Sequence, residues 1–375
     1  MQWTVMTLTP LLRLSLISIK TLRLSHFRIK QIPYHGYIQP ELLDTLRPYQ
    51  NTPISPERKG MYQTFQTVVK EGTHEELLTL VQEMSENDSN AFDYCIRFIS
   101  PDRDFPFEKI VDLPDNHPDN AYAYLLRGNW YAHWAYTSHG GVVSKSVGHD
   151  NYDLFYERLN LAATDLRKAV KLLPNCPQAI HKLLEVLHQF GKDAYKDRQA
   201  FVQKLLEKFP NHTASFSMVV NYATRKWGGS HEESFAIARK VIEQSDPDSN
   251  TPVLLFQAAF ERWFWHERFA SKMSEEEKAD EPQDFNNSDA CLEDTELNDE
   301  LNAYLPRLFK CMSDPQDYSV ASWTPWLFMW YSLTEDRSRL QQVAYHAQGR
   351  YVTWQFNYLW NDAFRRGYIH WANYL

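Results

Sequence analysis

AYAYLLRGNWY (residues 121–131) and LAATDLRKAVKLLP (residues 161–174) read as two helices written to lie against each other. Small residues at Gly128, Ala162 and Ala169 let antiparallel helices approach closely, with Tyr131 and Leu166 filling the space between them. Pro174 cannot continue a helix and closes the second one.

The register Tyr124-x2-Arg127-Gly128-x2-Tyr131 resembles the first helix of a tetratricopeptide repeat. Ala162-x3-Leu166-x2-Ala169-x4-Pro174 resembles the second. Downstream, Pro174, Pro210 and Pro247 are spaced by 36 and 37 residues, near the period of such repeats (about 34). The prolines are expected to end helices at 156–173, 200–209 and 232–244, with partner helices at 179–190, 214–226 and 253–269. Upstream, 61–71 and 74–86 make a first pair, with Thr73 and Glu76 at capping-box spacing, and a third helix near 91–99 stops at Pro101. The expected fold is all-α: a tetratricopeptide-like helical-repeat solenoid with two loop insertions, in which neighbouring pairs bury each other's apolar faces.

Composition agrees. The 375 residues are 43% hydrophobic and 14% aromatic, ample for a continuous core, and only 12 are glycine. The four cysteines (Cys95, Cys176, Cys291, Cys311) stand far apart without a C-x-x-C, which points to neither a structural zinc nor a disulfide framework and suits a reducing, cytoplasmic setting. Charge is uneven. Residues 1–40 carry five bases and no acid, whereas residues 275–300 carry twelve acids and one base, so the remainder is close to neutral. No basic face indicates nucleic acid.

Four segments follow. Residues 1–59 read as a basic, loosely ordered extension and linker that neither spans a membrane nor carries a secretory signal, leaving at most weak membrane-surface contact. Residues 60–270 are the helical-repeat body. Residues 271–300 read as an acidic disordered insertion, because their composition buries too little apolar surface to offset ordering entropy. Residues 301–375 are aromatic-rich C-terminal helices, opening with one at 297–312 and packing on the array. Their aromatic density suits a core, with a partner-binding surface as the alternative.

The other insertion separates Gly128 from Ala162, residues that lie about a dozen apart in a standard repeat. It spans 137–155 and holds His139, His149 and three glycines, the makings of a structural or partner-binding loop. A metal reading of His133, His139 and His149 lacks an acid or cysteine at a characteristic spacing, and no metal or cofactor is expected. Arg127 stands where the repeat expects a leucine. A buried guanidinium needs a carboxylate or several carbonyls, so Arg127 either pins the 137–155 loop through a salt bridge or recognises an anion.

Arg127-Gly128 with its neighbouring Tyr and Trp residues, the Ala162–Pro174 helix, and Arg225-Lys226-Trp227-Gly228-Gly229-Ser230 together resemble the bacterial family known as domain of unknown function 4034. The resemblance covers about residues 60–270. It implies a helical repeat-like fold and a bacterial origin, and it brings no activity and no catalytic residue.

Two functional readings follow. The first is a non-enzymatic module binding an unknown protein or peptide partner, with Arg127, Trp130, Trp134, His139, His149, Arg225 and Trp227 as candidate contacts. The absence of a nucleophile–base or metal constellation favours it. The second is a small-molecule binder or enzyme using the neighbourhood of Arg127, His139 and His149.

Overall fold

The computed structural model describes residues 56–87, 107–139, 149–269, 287–314 and 319–347, together with Phe92, Asp93, Ile96 and Ile99. The basic N-terminal segment, residues 140–148, residues 270–286 and the aromatic run at 351–375 lie outside the described residues, with the expectations placed on them. The protein is all-α, with no strand among the described residues.

Helices α1 (Pro56–Glu71) and α2 (His74–Asn87) form the first hairpin. Thr73 and Glu76 cap reciprocally as their spacing predicts. The Glu76 amide donates to Thr73 Oγ1 at 3.2 Å, and the Thr73 amide donates to a Glu76 carboxylate oxygen at 2.7 Å. The longest pair is α3 (Ala121–His139) and α4 (His149–Leu172). A Cβ on Gly128 would lie 2.8 Å from Leu166 Cγ, so the close approach of α3 and α4 requires glycine there.

Next come α5 (Pro177–Gln189), α6 (Tyr195–Lys208), α7 (Thr213–Tyr222), α8 (His231–Gln244) and α9 (Val253–Arg268). After them follow α10 (Ser288–Leu292), α11 (Thr295–Ala303), α12 (Leu305–Cys311), α13 (Val320–Leu333) and α14 (Arg337–Ala347). From α3 to α6 and from α7 to α9 successive helices pack on one another, and Asp197 of α6 also pairs with Arg167 of α4 at 3.0 Å. A second set of contacts links alternate helices, α3 with α5, α5 with α7 and α7 with α9, and α9 packs on α13 beyond them. The spine of the core lies along that second set, through Leu126, Leu183, Leu187, Phe216, Val220, Phe256, Phe260 and Trp330. Burying one such side chain contributes about 1.5–3 kcal/mol, so alternate-helix packing carries much of the stability.

The aromatic residues of α13 belong to this core. Trp323, Phe328, Trp330 and Tyr331 are buried, and Trp326 packs on Phe260. The polar atoms of two of them are satisfied from α11: Trp330 Nε1 donates to Asn298 Oδ1 at 3.0 Å and the Tyr331 hydroxyl to Asn302 Oδ1 at 2.9 Å. Arg307 of α12 reaches back to the α8–α9 turn, donating to the carbonyls of Ser249 (2.8 Å) and Asp246 (2.6 Å).

Four expectations change. The segment 271–300 is ordered from residue 287, where α10 and most of α11 lie. Composition misleads there because the polar residues work locally. Asn287 and Asp294 cap the two helices, accepting from the amides of Ala290 (2.7 Å) and Leu297 (3.0 Å). The insertion at 137–155 largely extends helices, with α3 running to His139 and α4 beginning at His149. Phe155, buried against Tyr136, gives that extra turn of α4 an apolar anchor. The helix expected over 297–312 is broken at Tyr304, with Pro306 in the first turn of α12. The helix expected over 214–226 ends at Tyr222, and Arg225–Trp227 forms a separate 3₁₀ turn.

Candidate functional site

Arg127 is held within the fold. Its Nε and Nη2 donate to the two carboxylate oxygens of Asp165 on α4 at 2.7 and 3.0 Å, and Nη1 donates to the Val111 carbonyl at 2.8 Å. Donation to Asp165 holds the guanidinium pKa above its ordinary value. Burial pushes the Asp165 carboxyl up, and Arg127 opposes that shift without cancelling it. The pair therefore joins α3 to α4 and to the segment before α3, and does not pin the 137–155 loop. Its guanidinium fork is occupied by Asp165, which removes the anion-recognising alternative.

The two tryptophans beside Arg127 divide in role. Trp130 is buried and stacks on Phe107 with centroids 4.4 Å apart, a core contact. Trp134 is half-buried beneath Arg158, whose guanidinium carbon lies 3.7 Å from the ring centroid. His139 ends α3 and His149 begins α4, and their side chains lie outside the described residues. Among the described residues, no three His, Cys, Asp or Glu side chains are placed to hold a metal ion.

The Trp227 turn is built differently. Gly228 has φ of +88°, the left-handed conformation that glycine adopts without strain. Gly229 is required for another reason: a Cβ there would lie 2.6 Å from the Ala223 carbonyl carbon and closer still to its oxygen. Ser230 caps α8, accepting from the Glu233 amide at 3.0 Å. This rigid corner leaves Trp227 46% exposed. Its ring stands edge-on to His188 and Tyr222, which stack on each other with centroids 3.4 Å apart. Burial, with a smaller contribution from Arg198, brings the His188 pKa down to about 4, so the stack is uncharged at neutral pH. The neighbouring bases are partly committed. Lys226 pairs with buried Glu261 at 2.7 Å, and the Arg225 guanidinium lies 5.8 Å from the Trp265 ring centroid.

A third feature has no counterpart in the sequence reading. A groove of about 610 Å³ runs beside α8, α9 and α11. His231, the first residue of α8, and His266, in the last turn of α9, line one end with ring centroids 5.5 Å apart. They are 7% and 8% exposed, and neither His231 ring nitrogen nor His266 Nδ1 meets a hydrogen-bond partner. Burial lowers the His231 pKa to about 4. It lowers that of His266 too, with Arg262 and Arg225 adding to the effect. Arg262, one turn before His266 on α9, pairs with Asp294 at 2.9 Å, and Arg239 makes a two-point ion pair with Glu300. The two histidines sit on different helices with no motif spacing, so only the folded chain unites them.

Of the seven candidates, then, Trp130 is core and Arg127 is spent on an internal pair. Trp134 is partly capped, and Trp227 is exposed on a fixed turn with Arg225 beside it. No family model matches the sequence, and no curated protein matches it. No described helix is long and apolar enough to cross a membrane.

Proposed function

We propose that the chain is a non-enzymatic helical-repeat module, a tetratricopeptide-like solenoid that binds a protein or peptide through the Trp227 turn. The alternate-helix packing supports the solenoid reading, since each pair depends on its neighbours for burial. The observation that carries the binding reading is the half-exposed Trp227, braced by Tyr222 and His188 on a corner that two glycines and a capped helix hold rigid. A tryptophan fixed in this way contributes large contact area at little entropic cost, the usual character of an interface anchor. Tyr195, 53% exposed, and Arg198, which donates to the His188 carbonyl at 3.2 Å, extend the surface. Membership of the domain of unknown function 4034 family, with a bacterial origin, belongs to the same proposal and rests on the motif residues. So does a cytoplasmic setting, which the wide spacing of the four cysteines, without a C-x-x-C, supports.

Panning a displayed peptide library against the whole chain tests the binding reading. Enriched peptides should lose about tenfold or more in affinity for Trp227→Ala, as an anchor worth more than about 1.4 kcal/mol requires, while the melting temperature holds. Peptides that bind wild type and Trp227→Ala equally, or a library that yields none, would overturn it.

A further inference from the structure

We propose that the buried pair His231–His266 is an acid-sensitive latch. Neutral, the two rings close the junction of α8 and α9 that holds the Trp227 turn; protonated, they open it. The rings meet with centroids 5.5 Å apart and join the first turn of α8 to the last turn of α9. Both residues are more than nine-tenths buried, and the two nitrogens of His231 and Nδ1 of His266 are sealed from solvent as well as from any hydrogen-bond partner. A neutral imidazole tolerates such a place better than an imidazolium, which carries a charge and two N–H donors. Closed, the three nitrogens offer an added proton neither acceptor nor solvent, so the pair takes up protons by parting.

The charges around the pair oppose protonation. Arg262 of α9 and Arg225 of the preceding turn disfavour a positive charge on both rings, and His266 does so on His231. The first turn of α8 adds the positive end of its helix dipole. Glu232, exposed, favours His231 protonation and is outweighed. Of the other elements packed on α8 and α9, α7 and α13 carry no charged side chain, and α10 carries only Asp289, which is exposed. Glu261 of α9 is paired with Lys226. Across the groove, Asp294 is engaged by Arg262 and Glu300 by Arg239, while Glu296 is exposed. Burial and these charges bring the His231 pKa to about 4 and lower that of His266.

Released from the junction, the rings titrate at the ordinary 6.5, so the latch has its full strength above that pH and weakens as pH falls from 6.5 toward 4. For His231 alone the opening equilibrium shifts roughly thirtyfold between pH 7.5 and 5, and His266 adds to it. Opening is local, because Ala238 and Val241, both buried, keep the rest of α8 on the core. What loosens is the first turn, where Ser230 caps the Glu233 amide, and with it the corner at Gly229 and Ser230 that fixes Trp227. Acid therefore releases whatever the Trp227 surface holds. That consequence rests on the binding reading above; the latch itself does not.

Amide hydrogen exchange of the full chain at pH 7.5 and 5, corrected for intrinsic rates, tests the latch without any peptide. Protection of the Glu233 and Ser234 amides should fall roughly thirtyfold or more at pH 5, while that of Leu126 in α3 and Leu166 in α4 holds. His231→Phe keeps a ring of similar size without a titrating group and should flatten the fall. Should it fail to fold, His266→Phe serves the same purpose, and the wild-type measurement stands without either. His188 and His212 are also lowered to about 4; His188→Gln, at the ring that touches Trp227, should leave the fall intact. Equal protection of Glu233 and Ser234 at both pH values overturns the proposal. So do an equal loss in α3 and α4, an undiminished fall in both folded phenylalanine variants, or its disappearance in His188→Gln. A latch that opens without loss of peptide affinity would stand, and would count against Trp227 as the anchor.

Discussion

Alanine at Gly229 should destabilise the protein more than alanine at Gly228, although only Gly228 has a positive φ. At Gly228 an added Cβ meets nothing within 4 Å, so the cost is that of a left-handed backbone alone, about 1–2 kcal/mol. At Gly229 it would stand 2.6 Å from the Ala223 carbonyl carbon and 3.1 Å from its Cα. Non-bonded carbons prefer about 3.5–4.0 Å, so two backbone segments must part by roughly 1 Å. The 3.2 Å bond from the Gly229 amide to the Thr224 carbonyl spans that gap and would be lost. The adjacent Ser230 cap, worth about 1 kcal/mol, would be displaced. Together these put Gly229→Ala at about 3–4 kcal/mol. Urea unfolding of the whole chain, followed by far-ultraviolet circular dichroism, gives the two midpoints. Hydrogen exchange should show the Glu233 and Ser234 amides losing protection only in Gly229→Ala. An equal or smaller loss at Gly229 would refute the steric account of the turn.

Two further substitutions probe the ion pairs. Arg127→Leu restores the residue the repeat expects but strands buried Asp165, and should cost about 3–5 kcal/mol at neutral pH by denaturant midpoint. Without Arg127 the carboxyl pKa rises further. The folded variant then binds its proton more readily than the unfolded chain does, and the deficit should shrink as pH falls from 7 toward 5; a constant deficit would exclude Asp165 as its source. Asp294→Ala removes both the α11 cap and the partner of buried Arg262, and should cost about 3 kcal/mol or more, whereas Glu300→Ala, which frees half-exposed Arg239, should cost about 1 kcal/mol or less. Equal midpoints for the two variants would show that burial of the arginine does not set the cost.

How much was legible follows the range of each interaction. Thr73 with Glu76, Ser230 before Glu233, and the prolines after α4, α6 and α8 act within a few residues, and each reads directly from spacing. Gly128 was legible because a repeat register predicts which residue faces it. Arg127 signalled a buried charge, yet its partner Asp165 lies 38 residues on and was invisible as such. Residues 287–296 were misread for the opposite reason. Their Asn and Asp residues count as disorder-promoting in a composition, while at a helix start the same side chains satisfy amides that would otherwise lack partners. The histidine groove needs three helices to exist, and nothing local in any of them announces it.

The reach of Arg307 back to the α8–α9 turn bears on how the chain is made. Ser249 precedes Arg307 by 58 residues. At the usual rate of synthesis (about 5–20 residues per second), its carbonyl waits roughly 3 to 12 s for that guanidinium. Phe256 and Phe260 of α9 wait longer, since their partners Tyr331 and Trp326 come later still. Throughout that interval the growing chain displays an apolar helix face with nothing to cover it. The nascent protein is most prone to aggregate after α9 has emerged and before α13 arrives, and a chain truncated between them should depend most heavily on chaperones.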